Sequence, residues 1–257
     1  MTVPGGWWTL ITVALFGAAV GSFLNVVVLR THEGRSYWSG RSACPHCHRP
    51  LRWFELIPIF SYLFLRGQCR RCGKILSTQY LIVELVTAGA FLLVLLINGV
   101  SLTLLVGWLV AAVMILLAVY DARWSLLPDT FSFLFILLAL ADSLVHQRSI
   151  VSLAYGGLAG VVFFSLQYAL SRGRWIGSGD ILLGLGLGLL LGWQALALAL
   201  LMAYTFGSLV AALKLARRRA NLRSAMAFGP YLLGAGFIAW LWGPTIIHWY
   251  VQQTISF

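Results

Sequence analysis

A chain of 257 residues with 60% hydrophobic and 10% charged side chains, at a mean hydropathy of +0.89, does not read as one or two soluble domains; it reads as a polytopic membrane protein. Eight spans of about 20 residues would use roughly 160 residues and leave about 100 for everything else, which excludes a large soluble catalytic domain. Lysine plus arginine outnumber aspartate plus glutamate 18 to 7, an excess that in a membrane chain marks cytoplasmic segments and needs no nucleic acid to explain it.

The first apolar run starts at Trp7 and extends to about residue 29. No small-residue cleavage pattern follows it, so it is expected to be a retained span and not a signal peptide. Residues 30–77 form the long polar stretch, with nine of the 18 basic side chains and all four cysteines. Further apolar runs predict spans near 78–98, 101–120, 130–147, 150–170, 181–192, 194–213 and 226–244. The expected fold is thus an all-α polytopic membrane protein of about eight transmembrane helices. It divides into a first span (1–29), a cytoplasmic loop module (30–77) and a core of about seven helices (78–257). With the loop in the cytoplasm, alternation places 17 of the 18 basic residues inside and only Arg148 outside, which puts the N-terminus outside. The basic run from Lys214 to Arg223, with Arg217, Arg218 and Arg219, anchors that topology and can also hold anionic lipid.

Small residues recur every four positions: Gly17, Gly21 and Asn25 in the first span, Gly156 and Gly160 in the fifth, and Gly184, Gly188 and Gly192 in the sixth. Such stripes let helix backbones approach closely, either within the chain or around a substrate helix. The alternating Gly-Leu run from Gly184 to Leu189 has a strand-like period, but an unpaired strand cannot satisfy its backbone in lipid, so a helix is expected there.

The loop holds Cys44-Pro-His-Cys47 and, after 21 intervening residues, Cys69-Arg-Arg-Cys72. Two paired thiolate knuckles supply the four soft ligands of a closed tetrahedral Zn(2+) site, and a reducing cytosol keeps the thiols available. A redox pair or unliganded thiols are the alternatives, and His46 and His48 are possible substitute ligands. A shell of four cysteines leaves no open coordination position, so the metal would be structural. Trp53 to Leu65 is apolar apart from Glu55 and Ser61, which predicts a segment resting on the membrane surface.

Five of the seven acids lie in or beside spans: Glu84, Asp121, Asp129, Asp142 and Asp180. Ionisable groups there are expensive and call for an explanation. Asp121 ends the third span and Asp180 begins the sixth, so the topology brings both to the cytoplasmic boundary. A carboxylate pair sharing one proton can activate water and protonate a leaving amine. Asp180 stands in Gly177-Ser178-Gly179-Asp180, where Gly177 and Gly179 permit a tight turn before a helix, although an acid capping a helix also fits. Asp129 follows Pro128 and has a capping reason for its place; Asp121 has none and is preferred as the partner. Helix dipoles would then favour charge on Asp180 and the shared proton on Asp121. Asp142, with His146 one turn on, is expected to be a wetted interfacial residue. Glu84 would pair with a basic loop residue or contact a charged substrate.

These residues together resemble the bacterial prepilin peptidases, the type IV leader peptidase family of GxGD-type membrane aspartic proteases. The resemblance runs through Gly21-Ser-Phe-Leu-Asn25 with Arg30, the cysteine pairs enclosing Trp53 and Leu56 to Tyr62, Leu65-Arg-Gly67, Tyr80 with Glu84, Asp121 with Pro128-Asp129, Gly177 to Asp180, and Phe228-Gly229-Pro230. It implies cleavage of the basic leader from type IV prepilins or pseudopilins at the cytoplasmic face of the bacterial inner membrane, with Asp121 and Asp180 as the catalytic pair. It also implies N-methylation of the new terminus with S-adenosylmethionine, an activity that in this family accompanies cysteine-bearing loops. Leu182 departs from the lysine the family commonly has there, which bears on substrate range or rate. A proton-coupled transporter or secretion-assembly subunit with a zinc docking loop is the alternative. Its acids would lie nearer the midplane, in two repeated halves. A catalytically silent binding protein would not need Asp121 and Asp180 intact.

Overall fold

The structure is a computed structural model that describes residues 6–217 and 226–255; Arg218, Arg219 and Arg223, expected on the inner side, lie outside the described residues. It is helical throughout: α1 (Gly6–His32), a short α2 (Phe60–Phe64), α3 (Gln79–Asn98), α4 (Leu102–Trp124), α5 (Asp129–Val145), α6 (Ile150–Ser171), α7 (Ser178–Ala216) and α8 (Gly229–Ile255). Among the described residues there are two isolated β-bridges and no strands. Six helices are long and apolar enough to cross a membrane: α1, α3, α4, α6, α7 and α8. The chain is therefore an all-α, multi-pass membrane protein. The expected number of about eight is not reached on that measure, because α5 has 17 residues and spans about 26 Å, short of a hydrocarbon core of about 30 Å, and because the expected spans 181–192 and 194–213 both lie in α7. The last helix also runs further than expected, past Pro244 to Ile255; a proline is tolerated inside a membrane helix where neighbours satisfy the freed backbone.

The chain divides into two compact units, residues 1–116 and 117–257. In the first, α1 packs on α3 through its small-residue stripe. A Cβ at Gly17 would lie 2.8 Å from Ala88 Cα, and one at Gly21 would lie 2.8 Å from Glu84 Cα. Thr87 and Asn25 are buried in the same contact, and Asn25 Nδ2 donates to the Gly21 and Tyr80 carbonyls. Trp108 of α4 stacks on Phe91 of α3 at 5.1 Å and donates its indole N–H to the Phe91 carbonyl.

In the second unit the stripes on α6 and α7 meet. A Cβ on Gly156 or Gly160 would strike the backbone of Gly188 or Gly184, so backbone-to-backbone approach is what these glycines supply. Gly184 to Leu189 is helical, as the lipid argument requires. At Gly192 (φ 72°, ψ 172°) α7 is broken into arms of residues 178–191 and 193–216. The first arm runs antiparallel to α6, with Gly184 beside Gly160 and Gly192 beside Ser152; on the second, Ala195 faces Gly243 of α8 and Gly207 faces Tyr231. The chain thus turns back at Gly192, where only a residue without Cβ accepts the left-handed backbone. The break leaves the Leu189 carbonyl to be served by the Ser143 hydroxyl at 2.7 Å, as a buried carbonyl in a membrane must be.

Candidate active site and metal centre

The loop module is organised by two copies of one local pattern. In the first, the Cys44 amide donates to Arg49 O and the His48 amide to Cys44 O; in the second, Cys69 donates to Lys74 O and Gly73 to Cys69 O. The bridges Ala43–Pro50 and Gln68–Ile75 flank the two turns at matching offsets. His48 and Gly73 occupy equivalent positions and both have positive φ, 53° and 67°. These turns aim the four sulfurs inward, all within 4.8 Å of one another, with Cys44–Cys72 at 3.9 Å and Cys47–Cys69 at 4.0 Å. A tetrahedron with 2.3 Å metal–sulfur bonds needs sulfurs about 3.8 Å apart, so the four thiols fit a metal. His46 and His48 are outside the cluster. Amides of Cys72 and Arg71 directed at the Cys69 sulfur lower its pKa to about 6, while at Cys72 the Lys74 amide is outweighed by burial and the neighbouring thiols, which raise it to about 11, so the cluster's first thiolate forms at Cys69.

Beside the knuckles, Arg49 pairs with the buried carboxylate of Glu55, and the Arg52 amide donates to that carboxylate at 2.8 Å. Burial would push the Glu55 carboxyl up, but the amide and the guanidinium outweigh it and hold the group below the usual carboxylate range. Trp53, Phe60, Leu63 and Phe64 remain exposed, Phe64 at 84%. Among the described residues Glu84 pairs with no base. It accepts the Ile59 amide at 2.7 Å and the Ser22 hydroxyl, so of its two expected partners the basic loop residue gives way to a loop backbone amide. Ile59 (φ 65°, ψ −56°) is the centre of a strained γ-turn closed by Phe60 N–H donating to Pro58 O at 2.6 Å. A β-branched residue in that conformation signals nothing in a sequence, and it persists here because the α3 carboxylate holds its amide.

The second unit assembles the other site. Asp121 lies in the last turns of α4 and is buried, and its Oδ2 accepts the Gly229 amide at the start of α8 at 2.8 Å. Asp180 lies in the first turn of α7 and is buried, and its Oδ2 accepts the Gly177 amide at 3.0 Å. The two are close enough for the charge of Asp121 to act on Asp180. Gly179 admits Leu127, whose Cβ would lie 2.8 Å from a Cβ there; Gly177 is extended, and its amide is its contribution. Asp129 opens α5 with its side chain exposed, in keeping with a capping role. The expected dipole asymmetry loses its basis, because Asp121, although it ends one helix, meets the N-terminal amide of another.

Asp142 corrects a different expectation. It is fully buried, not wetted: Trp240 Nε1 donates to its Oδ2 at 3.1 Å, Arg148 approaches the same oxygen at 3.5 Å, and His146 lies 3.5 Å from Oδ1. The position of Asp142 near a span's end suggested water, but Trp240, 98 residues along the chain, could not be seen from there.

Residues 15–97 match the model of the bacterial peptidase A24 N-terminal domain, and residues 108–212 that of the type IV leader peptidase family. The chain belongs to the type IV leader peptidase family. It is 36% identical to the prepilin leader peptidase/N-methyltransferase of Aeromonas hydrophila, over 96% of this chain and 95% of that protein. The protein of the same name from Bacillus subtilis is 33% identical over 94% and 98%, and that of Legionella pneumophila 31% over 95% of each. No solved structure matches the chain. A member of this family is a protease, and this one is held in the membrane by its helices.

Proposed function

We propose that the chain is a membrane aspartic endopeptidase that cuts the basic leader from type IV prepilins or pseudopilins, with Asp121 and Asp180 as its catalytic pair. The observation that carries this reading is the meeting of two buried carboxylates from α4 and α7, each with one oxygen fixed by a glycine amide and with the charge of Asp121 within reach of Asp180. Two such groups close together hold one proton between them. The ionised carboxylate takes a proton from water as its oxygen attacks the scissile carbonyl carbon. The protonated partner gives its proton to the departing amine as the C–N bond breaks, so the pair ends the reaction with one proton, as it began. A transporter reading has no comparable support in the relatives or the site.

The four cysteines hold a structural Zn(2+), which supplies a cross-link between the two knuckles and no open position for a reacting water. The basic excess of the loop supports a cytoplasmic side of the bacterial inner membrane for this module, and Arg123, Arg172 and Arg174 near the helix ends that carry Asp121 and Asp180 support the same side for the pair, with the N-terminus outside.

N-methylation of the new terminus follows from the names of the relatives. The cavity lined by Ser152, Gln194, Pro244 and His248 lacks an acid for the ammonium or ribose of S-adenosylmethionine, so it does not fit that cofactor. The test is to incubate the purified protein with a leader-bearing prepilin, with and without S-adenosylmethionine, and weigh the product. Loss of the leader mass in both tubes, with one added methyl group only when the cofactor is present, is the expected result. An uncut prepilin in both refutes the reading.

A further inference from the structure

We infer that Gly229 is a positioning residue of the peptidase, whose backbone amide seats Asp121 for reaction and whose missing side chain makes that seat possible. The inference rests on Asp121 and Asp180 being the reacting pair.

Asp121 occupies the C-terminal end of α4, where unpaired carbonyls repel a carboxylate. It is buried and takes its hydrogen bond from an amide 108 residues later, at the first residue of α8. Pro230 has no N–H to offer, and the Tyr231 and Leu232 amides both return to the Phe228 carbonyl. The Gly229 amide is therefore the donor left over in this turn, and it donates to Asp121 Oδ2 at 2.8 Å.

The reason for glycine at 229 is not backbone conformation, since its φ is not positive. It is space: a Cβ would lie 2.6 Å from Asp121 Oδ2, 3.0 Å from Cγ and 3.2 Å from Cβ, all three contacts with that one side chain. Gly234, further along α8, faces open space, so closeness to Asp121 distinguishes the first position from the second. Asp180 has the matching arrangement, with Oδ2 on the Gly177 amide. One oxygen of each carboxylate is thus occupied, and the shared proton and the attacking water are left to the other two.

The test separates the amide from the space it occupies. Replacing residue 229 by glycolate in cell-free translation turns the amide into an ester, removing the N–H without adding an atom. Cleavage kinetics of this enzyme, of Gly229→Ala and of Gly234→Ala are compared with the parent in the same membranes. The ester is expected to lower kcat roughly 10- to 100-fold, the loss of one hydrogen bond to a charged group, with KM within about twofold. Gly229→Ala should fall at least as far, and Gly234→Ala should match the parent. A general packing role would reduce the amount of folded enzyme and leave kcat per folded molecule unchanged. An ester enzyme with parental kcat overturns the inference. Cleavage by Asp121→Asn would instead overturn the assignment of the pair, so the two failures are distinguishable.

Discussion

Around the cysteines the backbone contacts are local: each Cys-x-x-Cys pair is set by a turn of six residues whose hydrogen bonds begin and end within it. Around the aspartates the fixing contacts are of two ranges. Asp180 is held three residues away by Gly177, whereas Asp121 is held by Gly229 across 108 residues and three intervening helices. The cysteine module therefore depends on its turns and on the metal proposed for its thiols, while the carboxylate pair depends on how α4, α7 and α8 pack. Damage should follow that division.

The largest effect is expected at the carboxylates. Asp121→Asn and Asp180→Asn keep side-chain size and remove the ability to exchange a proton, so leader cleavage should fall by about 10²- to 10⁴-fold or more, while Asp129→Asn should retain substantial activity. Mass spectrometry of a prepilin incubated with each variant measures this; an inactive Asp129→Asn beside an active Asp121→Asn would transfer the role.

Next in size is the metal. Bound structural zinc is worth about 10 to 16 kcal/mol in small domains, so the double change Cys44→Ser, Cys69→Ser should strip the metal and open residues 30–77 to trypsin. The helices of the second unit should stay protected. Full zinc content in that variant would refute the four-thiolate site.

A smaller effect is expected from Gly160→Val, which pushes α6 off the arm of α7 that carries Asp180. Overpacking of this kind costs about 1 to 3 kcal/mol, and thermal unfolding in detergent should show it together with reduced cleavage and unchanged zinc content. Zinc loss here would contradict the independence of the two sites.

The smallest is a pH effect at Glu55. Its carboxyl is held below the ordinary range in the folded loop, so its contribution to stability is complete above the unfolded value of about 4.3 and disappears as pH falls through the lower folded value. Glu55→Gln should abolish that part of the acid sensitivity. Comparing Trp53 fluorescence in parent and variant during acid titration isolates it from thiol protonation; identical curves would show that Glu55 contributes nothing.

The same difference in range explains what the sequence reveals. Cys44, Cys47, Cys69 and Cys72 are legible from spacing because their geometry is local. The break at Gly192 is legible because glycine there interrupts an apolar run too long for one span. The place of Asp180 in the first turn of a helix is legible from its two glycines, and that of Asp121 near the end of one from the apolar run before it. The amide that meets Asp121, the Trp240 that buries Asp142 and the Ile59 turn fixed by Glu84 all depend on chain segments far apart, and local composition carries no trace of them. Pro244 misleads in the other direction, since it looks like a stop and α8 passes through it.

The reversal at Gly192 has a consequence for how the protein is made. The first arm of α7 measures about 21 Å, too short to be committed to the bilayer alone. It must enter as a hairpin with the second arm, so Asp180 reaches its final depth only after the chain has been synthesised to about residue 216. Asp121 waits longer, for the first residue of α8. A ribosome-bound chain stopped before that residue holds both acids but lacks the amide that meets Asp121.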